Sequence, residues 1–232
     1  MKPLISSNNN FSWMFGALIL LLLSNAVFNQ LNFPHAQHIV NISLMLTIAV
    51  AVLSVNSGKR QWFNWKIGLS CVIATLLLGD SLLQGDSLVI YQLLSILIFL
   101  LFTLYLCWQQ VMFSGKVDRN KIIGSICIYI LLALIWAFGY LILEHLFPGS
   151  FSGLEDRSWQ HNLGELLYYS LVTLTTLGYG EITPTQPMAR FLAYAEAVTG
   201  VFYTTVLVAS LIGMRLAHYE EKLKGNGTPQ GK

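Results

Sequence analysis

The sequence predicts an all-α integral membrane protein with six transmembrane helices, one shorter re-entrant helix and an irregular loop. Three observations carry this. The 232-residue chain is 55% hydrophobic and only 10% charged, too little polar sequence to coat a globule of that size. Its apolar residues gather in six long runs, about 11–31, 36–55, 62–80, 86–110, 122–147 and 187–218. Each is near the ~20 residues a helix needs to cross a bilayer. A seventh segment, about 163–176, is too short to cross and must return to the side it entered. Irregular backbone after it is tolerated at depth only where it lines a polar pathway or is buried in protein.

Taken in order, the first run follows Lys2 and ends near Ser24-Asn25-Ala26, the outline of a signal peptide. The stretch from Phe11 to Phe28 is long enough to cross, so an uncleaved span is expected. The second run holds Asn41 and the fourth Gln92, polar residues expected to bond neighbouring helices. Trp62, Trp65 and Trp108 lie near the ends of their runs, as interface anchors do. Cys71, Cys107 and Cys127 fall inside spans without metal-ligand spacing and are expected to be small buried thiols. The fifth run starts after the basic loop Lys116–Lys121 and stops at Leu146-Phe147-Pro148-Gly149, where Pro and Gly end a helix. A polar loop with Glu155, Asp156 and Arg157 leads to the short segment, and the sixth span follows.

Charge sets the orientation. With six spans, only Arg157 and Arg190 of the 13 lysines and arginines fall on one side. The opposite side is therefore cytoplasmic and holds both termini, by the positive-inside rule.

The chemistry concentrates at Thr176-Leu177-Gly178-Tyr179-Gly180, just after the short segment. A dehydrated monovalent cation needs oxygens in place of its water, and backbone carbonyls supply them if successive residues turn them toward one axis. That demands alternating left- and right-handed backbone, which glycine tolerates, hence Gly178 and Gly180. The carbonyls of Thr176, Leu177, Gly178 and Tyr179, with the Thr176 hydroxyl, would form stacked ligand rings. The short helix would point its negative end at the ion path. Thr175 is expected to cap helix carbonyls.

These five residues, with Tyr168 to Thr175 before them and Glu181-Ile182-Thr183-Pro184 after, resemble the selectivity filter of the potassium channel family. The resemblance runs over about residues 123–218. It implies a front region of four helices (1–115), a pore domain (116–218) and a short cytoplasmic tail (219–232). It also implies a homotetramer, since each chain brings one filter and a ring takes four strips. No cofactor is expected beyond permeant potassium in the filter, and no partner beyond identical subunits and the bilayer; nucleic-acid binding is not expected. The expected location is the plasma membrane or inner cell membrane.

Three departures from the family pattern stand out. Leu177 replaces the usual Val, Glu181 the usual Asp, and Tyr168-Tyr169 the usual paired Trp. In the family the aromatic donor and the acid bond each other behind the filter, so Tyr168 or Tyr169 is expected to donate to Glu181, with Gly180 completing the filter support. On the last helix the resemblance gives Gly200 as a gating hinge, with close packing the alternative. Glu196, an ionisable group within a span, is expected to bond the rear of the short helix or to attract ions. Tyr203, Thr204, Val208, Ala209 and Ile212 are candidate cavity and gate positions by helical spacing.

The fourth span, Leu88 to Trp108, has no Arg or Lys, so gating by movement of side-chain charge is not expected. A weakly selective monovalent cation channel is the alternative that Leu177 leaves open. A potassium transporter subunit is another, although such proteins usually repeat the pore unit within one chain. An enzyme is not expected: no span shows paired metal-ligand histidines or a nucleophile elbow.

Overall fold

The computed structural model describes residues 10–31, 36–54, 60–83, 88–113, 119–154 and 158–226. Seven helices occur among them: α1 (Asn10–Leu31), α2 (Ala36–Ser54), α3 (Arg60–Leu83), α4 (Val89–Phe113), α5 (Arg119–Leu146), α6 (Trp159–Leu174) and α7 (Pro187–Asn226). Two short strands, β1 (Phe151–Ser152) and β2 (Thr183–Pro184), pair antiparallel, Phe151 opposite Pro184 and Ser152 opposite Thr183. Three helical segments, Asn10–Val27, Val89–Met112 and Arg119–Leu146, are long and apolar enough to cross a bilayer; His38–Ser54 and Asn64–Leu77 are shorter apolar helices. The protein is an integral membrane protein.

The breakers act where the sequence places them. α5 stops before Pro148, and Gly149 follows with φ +81°. α7 begins at Pro187, whose fixed φ suits a first helical position. At the start of α1 the Asn10 side chain accepts from the Phe11 amide at 2.9 Å, satisfying one amide the first turn leaves unpaired.

Helix α5 is the axis of the packing. It lies against α1, α4, α6 and α7, and fourteen of its 28 residues are buried, Tyr140 and Phe138 among the largest. Glycine permits one of these contacts. A Cβ on Gly124 would sit 2.8 Å from Val111 of α4 and 2.9 Å from Phe11 of α1. Around it, the Asn120 amide donates to Asn10 at 2.7 Å, and Asn10 donates to Gln110 at 3.2 Å. The front helices are thus built directly onto the outer helix of the pair that flanks α6.

Several front-region expectations meet the structure here. Gln92 donates to the Leu76 carbonyl of α3 at 2.9 Å, an interhelical bond as expected. Asn41 differs: its side-chain oxygen is buried without a hydrogen-bond partner. Cys107 and Cys127 are buried thiols, but Cys71 is exposed, on a face of α3 left uncovered among the described residues. Trp65 is exposed and the Trp62 side chain lies outside the described residues. Lys66, grouped by sequence with the cytoplasmic loop charges, is only 1% exposed and donates to the Ala51 carbonyl in the last turn of α2 at 3.2 Å. A cation there complements the negative end of that helix.

Candidate ion pathway

Helix α6 ends at Leu174, and the chain then folds back over its own last turn. The Thr175 amide donates to Leu171 O, the Thr176 amide to Thr173 O, and both the Leu177 and Gly178 amides to Val172 O, at 2.8–3.3 Å. The Thr175 hydroxyl donates to Leu171 O at 2.7 Å. These bonds satisfy carbonyls that a helix end leaves unpaired. They also turn the amides of residues 175–178 toward the helix. No donor within the described chain reaches the carbonyls of Thr176, Leu177, Gly178 or Tyr179.

The backbone alternates in hand along the loop. Thr176 has φ +60°, Gly178 φ +59° and Gly180 φ +95°, while Leu177 and Tyr179 keep negative φ. Glycine makes this inexpensive at two positions. At Thr176 it is not: a β-branched residue in the left-handed region is strained by ~1–3 kcal/mol, the kind of strain that gathers at functional sites. The sequence shows the two glycines but gives no sign of the third left-handed residue. In a single chain the side chains of Leu177 and Tyr179 stand 55% and 64% exposed.

Adjacent residues on α6 do different work. The Tyr168 hydroxyl donates to Glu181 Oε2 at 3.2 Å. Tyr169, about 100° further around the helix, faces α5 and packs edge-on against Tyr140 and Phe151, with centroids 5.3 and 5.5 Å apart. Of the two expected donors, then, Tyr168 makes the contact and Tyr169 is a packing aromatic. Tyr168→Phe is therefore expected to shorten sustained openings in single-channel recordings, and Glu181→Gln to do the same, with the double variant no worse than either. Tyr169→Phe should leave open times unchanged; a shortening there equal to that of Tyr168→Phe would remove the contact's special role.

Beyond Glu181 the loop is strapped to the end of α5. A Cβ on Gly153, at φ +90°, would lie 2.1 Å from the Glu181 carbonyl oxygen, so only glycine permits this approach. The Thr185 amide donates to Ser150 O at 2.9 Å and its hydroxyl to Gly149 O at 2.6 Å. Glu144 accepts from the Gly149 and Phe151 amides at 2.7 and 3.1 Å. Arg190 donates to Pro184 O at 3.3 Å. The sequence gives no sign of the roles of Gly153 and Thr185, because their partners lie 28 and 36 positions away.

On α7, Glu196 is fully buried behind α6, bonded to Ser170 of α6 and Tyr140 of α5. Gly200 lies one turn on, where α7 crosses the end of α6. A Cβ there would stand 2.1 Å from Leu174 O and 2.9 Å from Leu174 C. That same carbonyl accepts from the Tyr129 hydroxyl of α5 at 3.1 Å. α7 runs unbroken through Gly200. Tyr203 is bound to α5: its hydroxyl donates to Ser125 O at 2.6 Å and its ring lies 5.5 Å from that of Tyr129. Seven residues are two helical turns, so Tyr203 shares the inward face of Glu196. The Thr204 hydroxyl bonds back to Gly200 O and Val201 O, both at 3.1 Å. Ala209 is exposed; the side chains of Val208 and Ile212 lie outside the described residues.

Comparison with known proteins agrees with this geometry. Residues 126–215 match a family model described as an ion channel. The chain is 29% identical over 98 residues to the two pore potassium channel c of Oryza sativa subsp. japonica, covering 40% of this chain and 21% of that relative. It is 26% identical over 102 residues to a voltage-gated potassium channel of Aeropyrum pernix, covering 44% of this chain and 30% of that relative. The matched stretch thus spans between about a fifth and a third of these relatives' lengths. The matched segment contains most of α5, all of α6, the alternating loop and α7 from Pro187 to Arg215. Over residues 126–215, then, this chain matches an ion-channel family model, and the relatives that share this stretch are potassium channels.

Proposed function

We propose that the protein is a subunit of a passive, potassium-selective channel in which four copies close one pore. The observation that carries this reading is the loop at 176–180. Its left-handed φ at every second residue and its unengaged carbonyls are what a column of carbonyl ligands requires. Thr176, Leu177, Gly178 and Tyr179 supply the potassium ligands, and Gly180, Glu181 and Tyr168 support them. The four-fold assembly is supported by the exposed apolar side chains beside the loop. Leu177 and Tyr179 are joined by Phe191, Tyr194, Val198 and Phe202, which recur along one face of α7. That face lies away from Glu196, Gly200 and Tyr203.

Six helices cross the membrane in this reading, α6 is re-entrant, and both termini are cytoplasmic, consistent with the distribution of Lys and Arg. Residues 1–115 form the front region and 116–218 the pore. α4 carries no Lys or Arg, so conduction depends only shallowly on voltage. The membrane is the plasma or inner cell membrane.

Purified protein in planar bilayers tests the reading. With unequal potassium and sodium on the two sides, the reversal potential should follow the potassium gradient, and the detergent-solubilised complex should have the mass of four chains. A reversal potential near zero under opposed potassium and sodium gradients would favour a weakly selective pore. A conducting monomer or dimer would overturn the ring.

A further inference from the structure

The carboxyl of Glu196 joins side-chain hydrogen bonds from both α5 and α6 to α7. None of its surface is exposed. The Tyr140 hydroxyl of α5 donates to its Oε2. The Ser170 hydroxyl of α6 lies 2.5 Å from its Oε1 and 2.8 Å from the Ala133 carbonyl oxygen of α5.

Proton counting decides the state of this cluster. A serine hydroxyl has one proton to donate, and a backbone carbonyl can only accept. Ser170 therefore cannot donate to both Ala133 O and Glu196. If it gave its proton to an ionised Glu196, the serine and Ala133 oxygens would face each other at 2.8 Å with nothing between them. If instead Glu196 keeps a proton on Oε1, every contact is satisfied. Glu196 donates to Ser170, Ser170 donates to Ala133 O, and Tyr140 donates to Oε2.

The surroundings agree. Among the described residues Glu196 has no cationic partner. The titratable groups near it are phenols: Tyr140 and Tyr129 from α5, and Tyr169 from α6. Arg190, on the same helix, is exposed and engaged with Pro184 O. An ionised carboxylate here would be a buried charge without a counter-ion, which folded proteins avoid.

We propose that Glu196 is a protonated carboxyl at neutral pH and that its proton pins α7 to α6, positioning the ion-binding loop without touching an ion. Ser170 lies six residues before Thr176, on the helix whose last turn accepts the loop amides. A displacement of α6 is thereby passed to the 176–180 backbone. The effect on conduction rests on the channel reading above; the protonation state and the pin do not.

Infrared spectroscopy of the protein reconstituted in lipid vesicles at neutral pH tests it. The parent should show the carbonyl stretch of a protonated carboxyl, and E196Q should lose that band. Glutamine can donate its amide to Ser170 and accept from Tyr140, so E196Q should unfold thermally close to the parent. E196A leaves Tyr140 without its acceptor and cuts the link from Ser170 to α7, should unfold at lower temperature, and should lose roughly tenfold or more of the potassium conductance, which E196Q restores. Absence of the band in folded parent protein, or its persistence in E196Q, would overturn the proposal. So would an E196Q variant as unstable as E196A. Parent protein that shows the band but conducts nothing would overturn the channel reading alone.

Discussion

Gly178→Ala abolishes potassium flux while leaving the assembled complex intact. The space beside Gly178 is open: an added Cβ meets no atom within 4 Å in the single chain. The obstacle is the backbone. At φ +59° an L-residue is disfavoured by ~1–2 kcal/mol, and Thr176, two residues earlier, already carries such strain. In the proposed ring of four copies the penalties sum to ~4–8 kcal/mol against the conducting conformation. At about 1.4 kcal/mol per decade that is a loss of roughly a thousandfold or more. Flux into vesicles driven by a potassium gradient measures it, with gel filtration as the check on assembly. Parent-like flux in correctly assembled Gly178→Ala protein would refute the assignment of this loop.

Gly200→Ala should be nearly as damaging, for a different reason. φ at Gly200 is helical, so the backbone accepts alanine readily. The new methyl would instead have to occupy space 2.1 Å from Leu174 O and 2.9 Å from Leu174 C. Those are backbone atoms at the end of α6, not the tip of a flexible side chain. Either α7 moves away from α6 or the last turn of α6 moves, carrying the Tyr129–Leu174 bond and the loop with it. Overpacking of this kind costs ~1–3 kcal/mol per site. The expected result is a lower thermal transition of the solubilised protein together with loss of conduction. A hinge role predicts something else: unchanged stability, an intact ion-binding loop and altered opening rates only. The two outcomes separate a glycine used for close approach from one used for bending.

Much of this protein was legible because its signals are local. A run of apolar residues is a helix in lipid because no water is present to hydrogen-bond the backbone. Pro148-Gly149 and Pro187 end and begin helices for reasons contained in their own rings and hydrogens. The glycine spacing at 178 and 180 showed where the backbone must turn left-handed. Seven helices among the described residues stand close to where the runs place them, within a few residues at their ends except for the last, which continues eight residues past 218 to Asn226.

What the sequence by itself determined is therefore the apolar class of the chain, the order of its helices and the position of the loop of alternating hand. Each follows from the chemistry of contiguous residues. Only the tertiary structure decided which of Tyr168 and Tyr169 reaches Glu181, that Tyr203 faces α5, that Lys66 caps α2, and that Gly200 is the seat of Leu174. It also revealed the left-handed Thr176 and the proton arrangement around Glu196. Most of those answers depend on partners 13 to 78 positions apart, such as Tyr168 with Glu181 and Ser125 with Tyr203. They depend as well on the angle at which one helix crosses another. Hydrophobic burial is non-directional and leaves that crossing open. It is settled when small residues, hydroxyls and carbonyls on facing helices find the one packing that satisfies them together.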